Sequence, residues 1–197
     1  MESKIRDLRQ EIFKFEQLSN FDKDDFFVSE CNYFAFNLIK SWPNWEKKIL
    51  NIYGERKSGK SHLSEIFLEN KKGIKFKFKE LNKKISDKIK GYEIIVIEDF
   101  NERCDEEATY SLIDMVEKEN KYLLITSVRA VNEMETRLKD LNSRFKNILT
   151  AKIDKPDDEL IYALILKNFS DNQIILDKKL INFICKRIAR SYDKISE

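Results

Sequence analysis

The chain has 197 residues, 42% hydrophobic and 12% aromatic, which is enough to bury a core and too apolar for a disordered segment. Its 37 basic and 35 acidic residues leave a net charge of +2, so no charge excess marks it as a binder of nucleic acid or of a membrane surface. Three scattered cysteines (Cys31, Cys104, Cys185) and a single histidine, His62, argue against a disulfide framework, a zinc cluster and a histidine-based triad. With no run of 18 apolar residues and no signal-peptide pattern, a cytoplasmic protein without a membrane partner is expected.

Residues 1–20 carry Ile5, Leu8, Ile12 and Phe15 at three- and four-residue spacing, which predicts a short amphipathic helix. A second reading of the same stretch stays open. Gln10 followed by the large apolar side chains Ile12, Phe13 and Phe15 suits an extended peptide in a partner's groove, with the glutamine amide bonding backbone at its rim. Asn20 to Ser29 reads as a loop leading to the apolar run Phe26-Phe27-Val28. From about Asn32 a helix is predicted, with Phe34, Ala35, Leu38 and Ile39 on one face. Trp42-Pro43-Asn44-Trp45 ends it, because proline disfavours helix in the residue before it.

Ile49 to Tyr53 is an apolar strand, and Gly54-Glu55-Arg56-Lys57-Ser58-Gly59-Lys60-Ser61 follows it. This segment fits G-x-x-x-x-G-K-[ST] and precedes a helical pattern (Leu63, Ile66, Phe67) running to about Asn70. Each part has a physical task. Glycines let the backbone curl so that N–H groups converge on an anion, and the helix adds its positive end. Lys60 is placed to reach outer phosphates and the Ser61 hydroxyl to ligate magnesium. A lysine-rich surface turn would match by chance, but the strand–loop–helix context favours a nucleotide site.

Gly73 to Phe78 is bounded like a strand, and Leu81, Ile85 and Ile89 predict a helix over Lys79 to Ile89. Tyr92 to Ile97 reads as a parallel strand buried on both faces, ending in Glu98-Asp99. At the end of a central strand, one such acid can hold magnesium and the other can orient water. A helix over Glu107 to Glu119 and a buried strand Tyr122 to Thr126 follow, the latter closing in Thr126-Ser127, placed to sense a terminal phosphate. Then come a helix near Asn132 to Leu138 and a short strand around Leu149 to Ile153. The alternation predicts an α/β doubly wound parallel sheet with its ligand at the strands' carboxyl ends. After Pro156, Asp157-Asp158 open a helix and Asp177 caps another, so a small all-α unit is expected. The helical pattern still runs at Glu197, which leaves both a whole and an incomplete unit open.

In this order the parts resemble the DnaA-type branch of the AAA+ ATPases over roughly residues 20–192. The carriers are Gly54 to Ser61 with His62-Leu63, the Ile-Glu-Asp strand end and Leu123-Leu124-Ile125-Thr126-Ser127 with Arg129. Leu141-Asn142-Ser143-Arg144-Phe145, Pro156-Asp157-Asp158-Glu159-Leu160 and Phe183-Ile184-Cys185-Lys186-Arg187-Ile188 complete them. Asp24-Asp25-Phe26-Phe27-Val28-Ser29 and Ser41-Trp42-Pro43-Asn44-Trp45 resemble the Hda-type regulators of that branch, and the chain stops before a helix-turn-helix domain could begin.

The resemblance implies an AAA+ P-loop NTPase fold: an N-terminal arm at 1–20, a nucleotide-binding domain at 21–155 and an all-α lid at 156–197. It implies ADP or ATP with Mg2+, held by Gly54, Lys57, Ser58, Gly59, Lys60, Ser61, His62, Thr126 and Arg190, with Ser61, Glu98 and Asp99 toward the metal. Arg187 is a second candidate for the lid contact, and Asp193 at one register would abolish it. Glu98 stands where an aspartate is commoner. These departures favour diphosphate binding and feeble intrinsic hydrolysis. Glu98, Asp99 and Arg144 are the implied catalytic residues, Arg144 as an arginine finger for another molecule. The implied partners are DnaA and the DNA polymerase sliding clamp, the latter through Gln10, Ile12, Phe13 and Phe15, although Glu11 departs from the usual motif. DNA would be contacted mainly through those partners, giving nucleoid association, and a homo-oligomer is admitted as well. The implied function is stimulation of DnaA's ATP hydrolysis. The alternative is a DnaA-like or DnaC-like ATPase acting directly on DNA or on helicase loading, and a third reading is a phosphate-loop protein with partners outside replication.

Overall fold

In the computed structural model, residues 26–69, 71–82 and 85–195 are described. The arm with Gln10, Ile12, Phe13 and Phe15 lies outside them. Among the described residues, β1 (Ile49–Tyr53), β2 (Gly73–Lys77), β3 (Ile94–Phe100), β4 (Tyr122–Ser127) and β5 (Leu149–Lys152) form one parallel sheet in the order β2-β3-β4-β1-β5. The strand that feeds the phosphate loop is therefore interior, with β4 and β5 on either side.

The apolar strands alternate between two cores. Leu50, Ile52, Ile94, Val96 and Leu124 face α1 (Glu30–Ser41) and α2 (Lys60–Leu68), which contribute Ala35, Ile39, Leu63 and Phe67. Ile95, Ile97, Leu123 and Ile125 face the opposite layer of α3 (Ile85–Ile89), α4 (Glu106–Lys118) and α5 (Lys139–Lys146), which contributes Ile89, Leu112, Ile113 and Phe145. Helices on both faces of a parallel sheet make the fold an α/β P-loop NTPase fold, doubly wound as the sequence pattern predicts. Each fully buried Leu, Ile or Phe contributes about 1.5–3 kcal/mol, so these two layers hold the strand ends in place.

Two predicted helices differ. Residues 132–138 are not an α-helix: a 3₁₀ turn at Val131–Glu133 leads into a loop, and the chain turns helical at Lys139, so Asn142 to Phe145 lie inside α5. The loop's backbone is claimed by side chains from elsewhere. The Glu106 carboxylate accepts the Arg137 and Leu138 N–H groups at 3.0 Å, and Asn142 both accepts the Thr136 N–H and donates to the Thr136 carbonyl at 2.8 Å. Bonds of this kind compete with a helix for the same groups. Likewise, the helix predicted over 79–89 is a 3₁₀ turn (Phe78–Glu80) and the short α3. Leu81, Ile85 and Ile89 are all buried, but not on one continuous helix.

The C-terminal helices α6 (Asp158–Asp171), α7 (Lys178–Cys185) and α8 (Tyr192–Ile195) close on their own apolar cluster of Ile161, Ile165, Ile181 and Ile195. Asp157 caps α6 through the Leu160 N–H (2.8 Å) and also accepts the Cys31 N–H at the start of α1 (3.2 Å), which joins this unit to the sheet layers. Asp177 caps α7 through the Lys179 N–H (3.2 Å). No described helix is long and apolar enough to cross a membrane.

Candidate nucleotide site

The loop after β1 is anchored where Gly54 N–H donates to the Ser127 carbonyl at the end of β4 (3.2 Å). A Cβ at Gly54 would meet the Ile153 carbonyl oxygen at 2.7 Å, so the loop passes too close to β5's extension for any side chain. Gly59, the N-cap of α2, has φ +89°, and a Cβ there would press on the Phe26 ring at 2.9 Å. Lys57 also takes a left-handed conformation, with φ 61°. Two sharp backbone reversals thus bend the segment 54–61 over the start of α2.

Lys60 is buried inside that bend. Its ammonium donates to the Gly54 carbonyl (2.9 Å), the Glu55 carbonyl and the Ser58 hydroxyl (3.2 Å). Burial pulls its pKa below the ordinary lysine value, while the charges of Asp99 and Glu55 act in the opposite direction. A cation surrounded by carbonyl dipoles rather than by a carboxylate is poised for a stronger anion.

β3 delivers its two acids to different places. The β3–β4 register shifts between Ile97 and Phe100, and Asp99 sits at φ 59° in that irregularity. The bulge leaves Asp99 exposed toward the loop while Glu98 and Phe100 stay buried. The Asp99 N–H donates to Thr126 Oγ1 (3.3 Å), so Thr126 stands one bond behind Asp99 and is itself buried. Glu98 turns away, with one oxygen 3.8 Å from Lys75 Nζ and the other, Oε1, buried without a hydrogen-bond partner.

A cleft of about 1060 Å³ opens over these strand ends, lined by Ser58, Lys60, Ser61, His62 and Asp99 together with side chains that follow β2, β3 and β4. Seven lining side chains are cationic (Arg56, Lys57, Lys60, Lys77, Lys79, Arg103, Arg129) and two acidic (Asp99, Glu102), a balance that attracts a polyanion. Among the described residues, no group of three or more His, Cys, Asp or Glu side chains could hold a metal by itself. A magnesium ion bound with phosphates needs only one or two protein oxygens. The Ser61 hydroxyl and the Asp99 carboxylate, which line one cleft, fit that requirement, whereas Glu98, expected beside them, does not line it.

Ser127 and the two lid candidates, Arg190 and Arg187, are placed differently from expectation. Ser127 points inward: Asn51, fully buried in mid-β1, donates to its hydroxyl (2.9 Å), and that hydroxyl donates to the Arg129 carbonyl. Arg190 does not line the cleft; it donates to Asp158 at the start of α6 (2.8 Å), while Arg187 lies over the Phe183 ring. Arg144 stands outside the cleft, on α5, clasped by Glu117 and Asp114 (3.0 Å to the latter) with its guanidinium 4.8 Å from the Tyr110 ring centre. Asn51 and Phe26 were not singled out from the sequence. Asn51 bonds β1 to the end of β4 and accepts the Val131 N–H (2.9 Å), and an amide among isoleucines was its only signal. Phe26 packs edge-on against His62 with ring centres 5.4 Å apart, a contact that only the fold creates.

No protein-family model matches the chain. In sequence it is 26% identical to the chromosomal replication initiator protein DnaA of Aliarcobacter butzleri, over 196 aligned residues covering 87% of this chain and 45% of that protein. In sequence the chain is similar to DnaA. It thus spans less than half the length of that relative. In structure it is similar to AMPPCP-bound DnaA from Aquifex aeolicus, with a TM-score of 0.70 at 16% identity, covering 87% of this chain and 61% of the other. Domain III of the Thermotoga maritima replication initiation protein DnaA gives a TM-score of 0.66 at 19% identity, covering 87% of this chain and 82% of that domain. The shared fold is an α/β P-loop NTPase fold.

Proposed function

We propose that the chain is a regulator of replication initiation of the Hda type, which holds an adenine nucleotide, ADP in its resting state, and offers Arg144 to ATP bound by DnaA. The observation that carries the nucleotide half is Lys60, buried among the carbonyls of its own loop at the floor of a cationic cleft. Phosphates laid in the bend would replace those carbonyls as its partners, and the start of α2 would add its N–H groups. His62 and Phe26 offer an aromatic edge beside the loop. Ser61 and Asp99 would hold Mg2+, which neutralises phosphate charge when bound.

The regulatory half rests on the position of Arg144. It lies outside its own cleft, which supports a role toward a nucleotide in another molecule. There its guanidinium would neutralise charge as water attacks the γ-phosphorus and the bond to the β-phosphate oxygen breaks, leaving ADP and phosphate. Such a finger is worth on the order of 10³-fold or more in rate. It must first leave Asp114 and Glu117. The undescribed arm with Gln10, Ile12, Phe13 and Phe15 would hold the complex on the sliding clamp, and DNA would be met through these partners. A DnaA-like ATPase acting directly on DNA is the second reading, favoured by the cationic rim of Lys77, Lys79 and Arg103 beyond the phosphate loop.

The test is hydrolysis of DnaA-bound ATP with clamp and DNA present. Wild type is expected to stimulate it, Arg144→Ala to lose nearly all stimulation while still binding nucleotide, and Gln10→Ala/Phe13→Ala to lose stimulation together with clamp retention. Full stimulation by Arg144→Ala refutes the finger. Tight single-strand binding without any partner favours the second reading.

A further inference from the structure

The C-terminal helices meet the phosphate loop through an acid. Asp193, in α8, lies 3.3 Å from the ammonium of Lys57 at the reversal of the loop. Neither partner is free to wander far along the backbone. Lys57 occupies a left-handed turn (φ 61°) in the wall of the cleft. The residue before Asp193, Tyr192, is buried, and its hydroxyl donates to the Asp154 carbonyl (2.9 Å) and sits 3.6 Å from Cys31 Sγ. The acid is thus carried on an anchored segment that crosses from the C-terminal unit to the sheet.

The arginines that flank this segment look elsewhere, Arg190 to Asp158 and Arg187 to the Phe183 ring. Asp193 thereby neutralises Lys57, one of the cations lining the cleft that would otherwise greet a terminal phosphate. We propose that Asp193 is a specificity-determining residue that biases the cleft toward a nucleoside diphosphate over the corresponding triphosphate. This deepens, and rests on, the reading of the cleft as an adenine-nucleotide site.

The reason is electrostatic. Each further phosphate brings more negative charge to the mouth of the loop, where Asp193 repels it and Lys57 is already paired. Both side chains are about half exposed (51% and 54%), so solvent screening limits the effect to about threefold in relative affinity.

The experiment measures binding of Mg2+-ADP and of a Mg2+-bound non-hydrolysable ATP analogue to the full chain by calorimetry, for wild type, Asp193→Asn and Asp193→Glu. Asp193→Asn is expected to improve the analogue-to-ADP affinity ratio about threefold, and Asp193→Glu to keep the wild-type ratio. Raising the salt concentration is expected to shrink the difference between wild type and Asp193→Asn. Equal gains for both nucleotides, or a wild-type ratio in Asp193→Asn at low salt, overturn the proposal while leaving the nucleotide site intact. Wild-type protein that binds neither nucleotide overturns the site reading itself, and this proposal with it.

Discussion

Lys60 and Arg144 are both cations folded back onto their own chain, at opposite regions of the molecule and on opposite kinds of partner. Lys60 lies at the carboxyl ends of the strands and is held by carbonyl and hydroxyl dipoles. Arg144 lies on α5 and is held by the carboxylates of Asp114 and Glu117 on α4. The difference teaches what each can be recruited by. Dipoles yield to a phosphate's full charge, so the loop gives up Lys60 to any suitable anion. Carboxylates yield only to a partner that offers more charge or better geometry, so on the proposed function Arg144 would stay sheathed until a specific complex formed.

That contrast can be broken at its stronger end first. Lys60→Ala is expected to lower affinity for fluorescent ADP about a hundredfold, the value of losing a buried charge-assisted bond to phosphate. Its melting temperature without nucleotide is expected to hold, because a desolvated cation has been removed. Undiminished binding would show that the carbonyl-held lysine is merely structural.

The other end is sharpened by freeing the arginine. Asp114→Asn with Glu117→Gln is expected to raise stimulation of DnaA-bound ATP hydrolysis about fivefold, by removing the internal competitors for the guanidinium. Asp114's own pKa sits below the ordinary aspartate value, first through its bond to Lys118 and further through Arg144. A fall in stimulation would mean that the clasp positions Arg144 and does not restrain it.

The smallest effect concerns Asp157, which holds neither cation but ties α6 to α1. Burial pushes its pKa up, but bonds from Leu160, Ser29 and Cys31 outweigh this and leave it below the ordinary value. A lowered folded pKa means that the stabilisation is fully present above the unfolded value and is lost as pH falls through the folded one. Because asparagine caps a helix almost as well, Asp157→Asn is expected to cost only about 0.5 kcal/mol at neutral pH. In thermal melts against pH, that difference is expected to vanish in acid.

How much was legible in the sequence differs between these regions. The bend at 54–61, the acidic end of β3 and the paired layers are visible as glycine spacing and apolar periodicity, since both act within a few residues. The helix expected at 132–138 is not there, because Glu106 and Asn142 claim its backbone from outside the segment. Asp99 reaches the cleft and Glu98 does not because a bulge extrudes one side chain, which strand alternation alone does not reveal.

By itself the sequence determined the strand–loop–helix unit and the doubly wound alternation, because sharp backbone reversals favour glycine and strands buried on both faces favour continuous apolar runs. Only the tertiary structure decided which charge faces which. The pairs Lys57–Asp193, Arg190–Asp158 and Arg144–Asp114 join residues far apart in the chain, and their contacts exist only once the helices are docked.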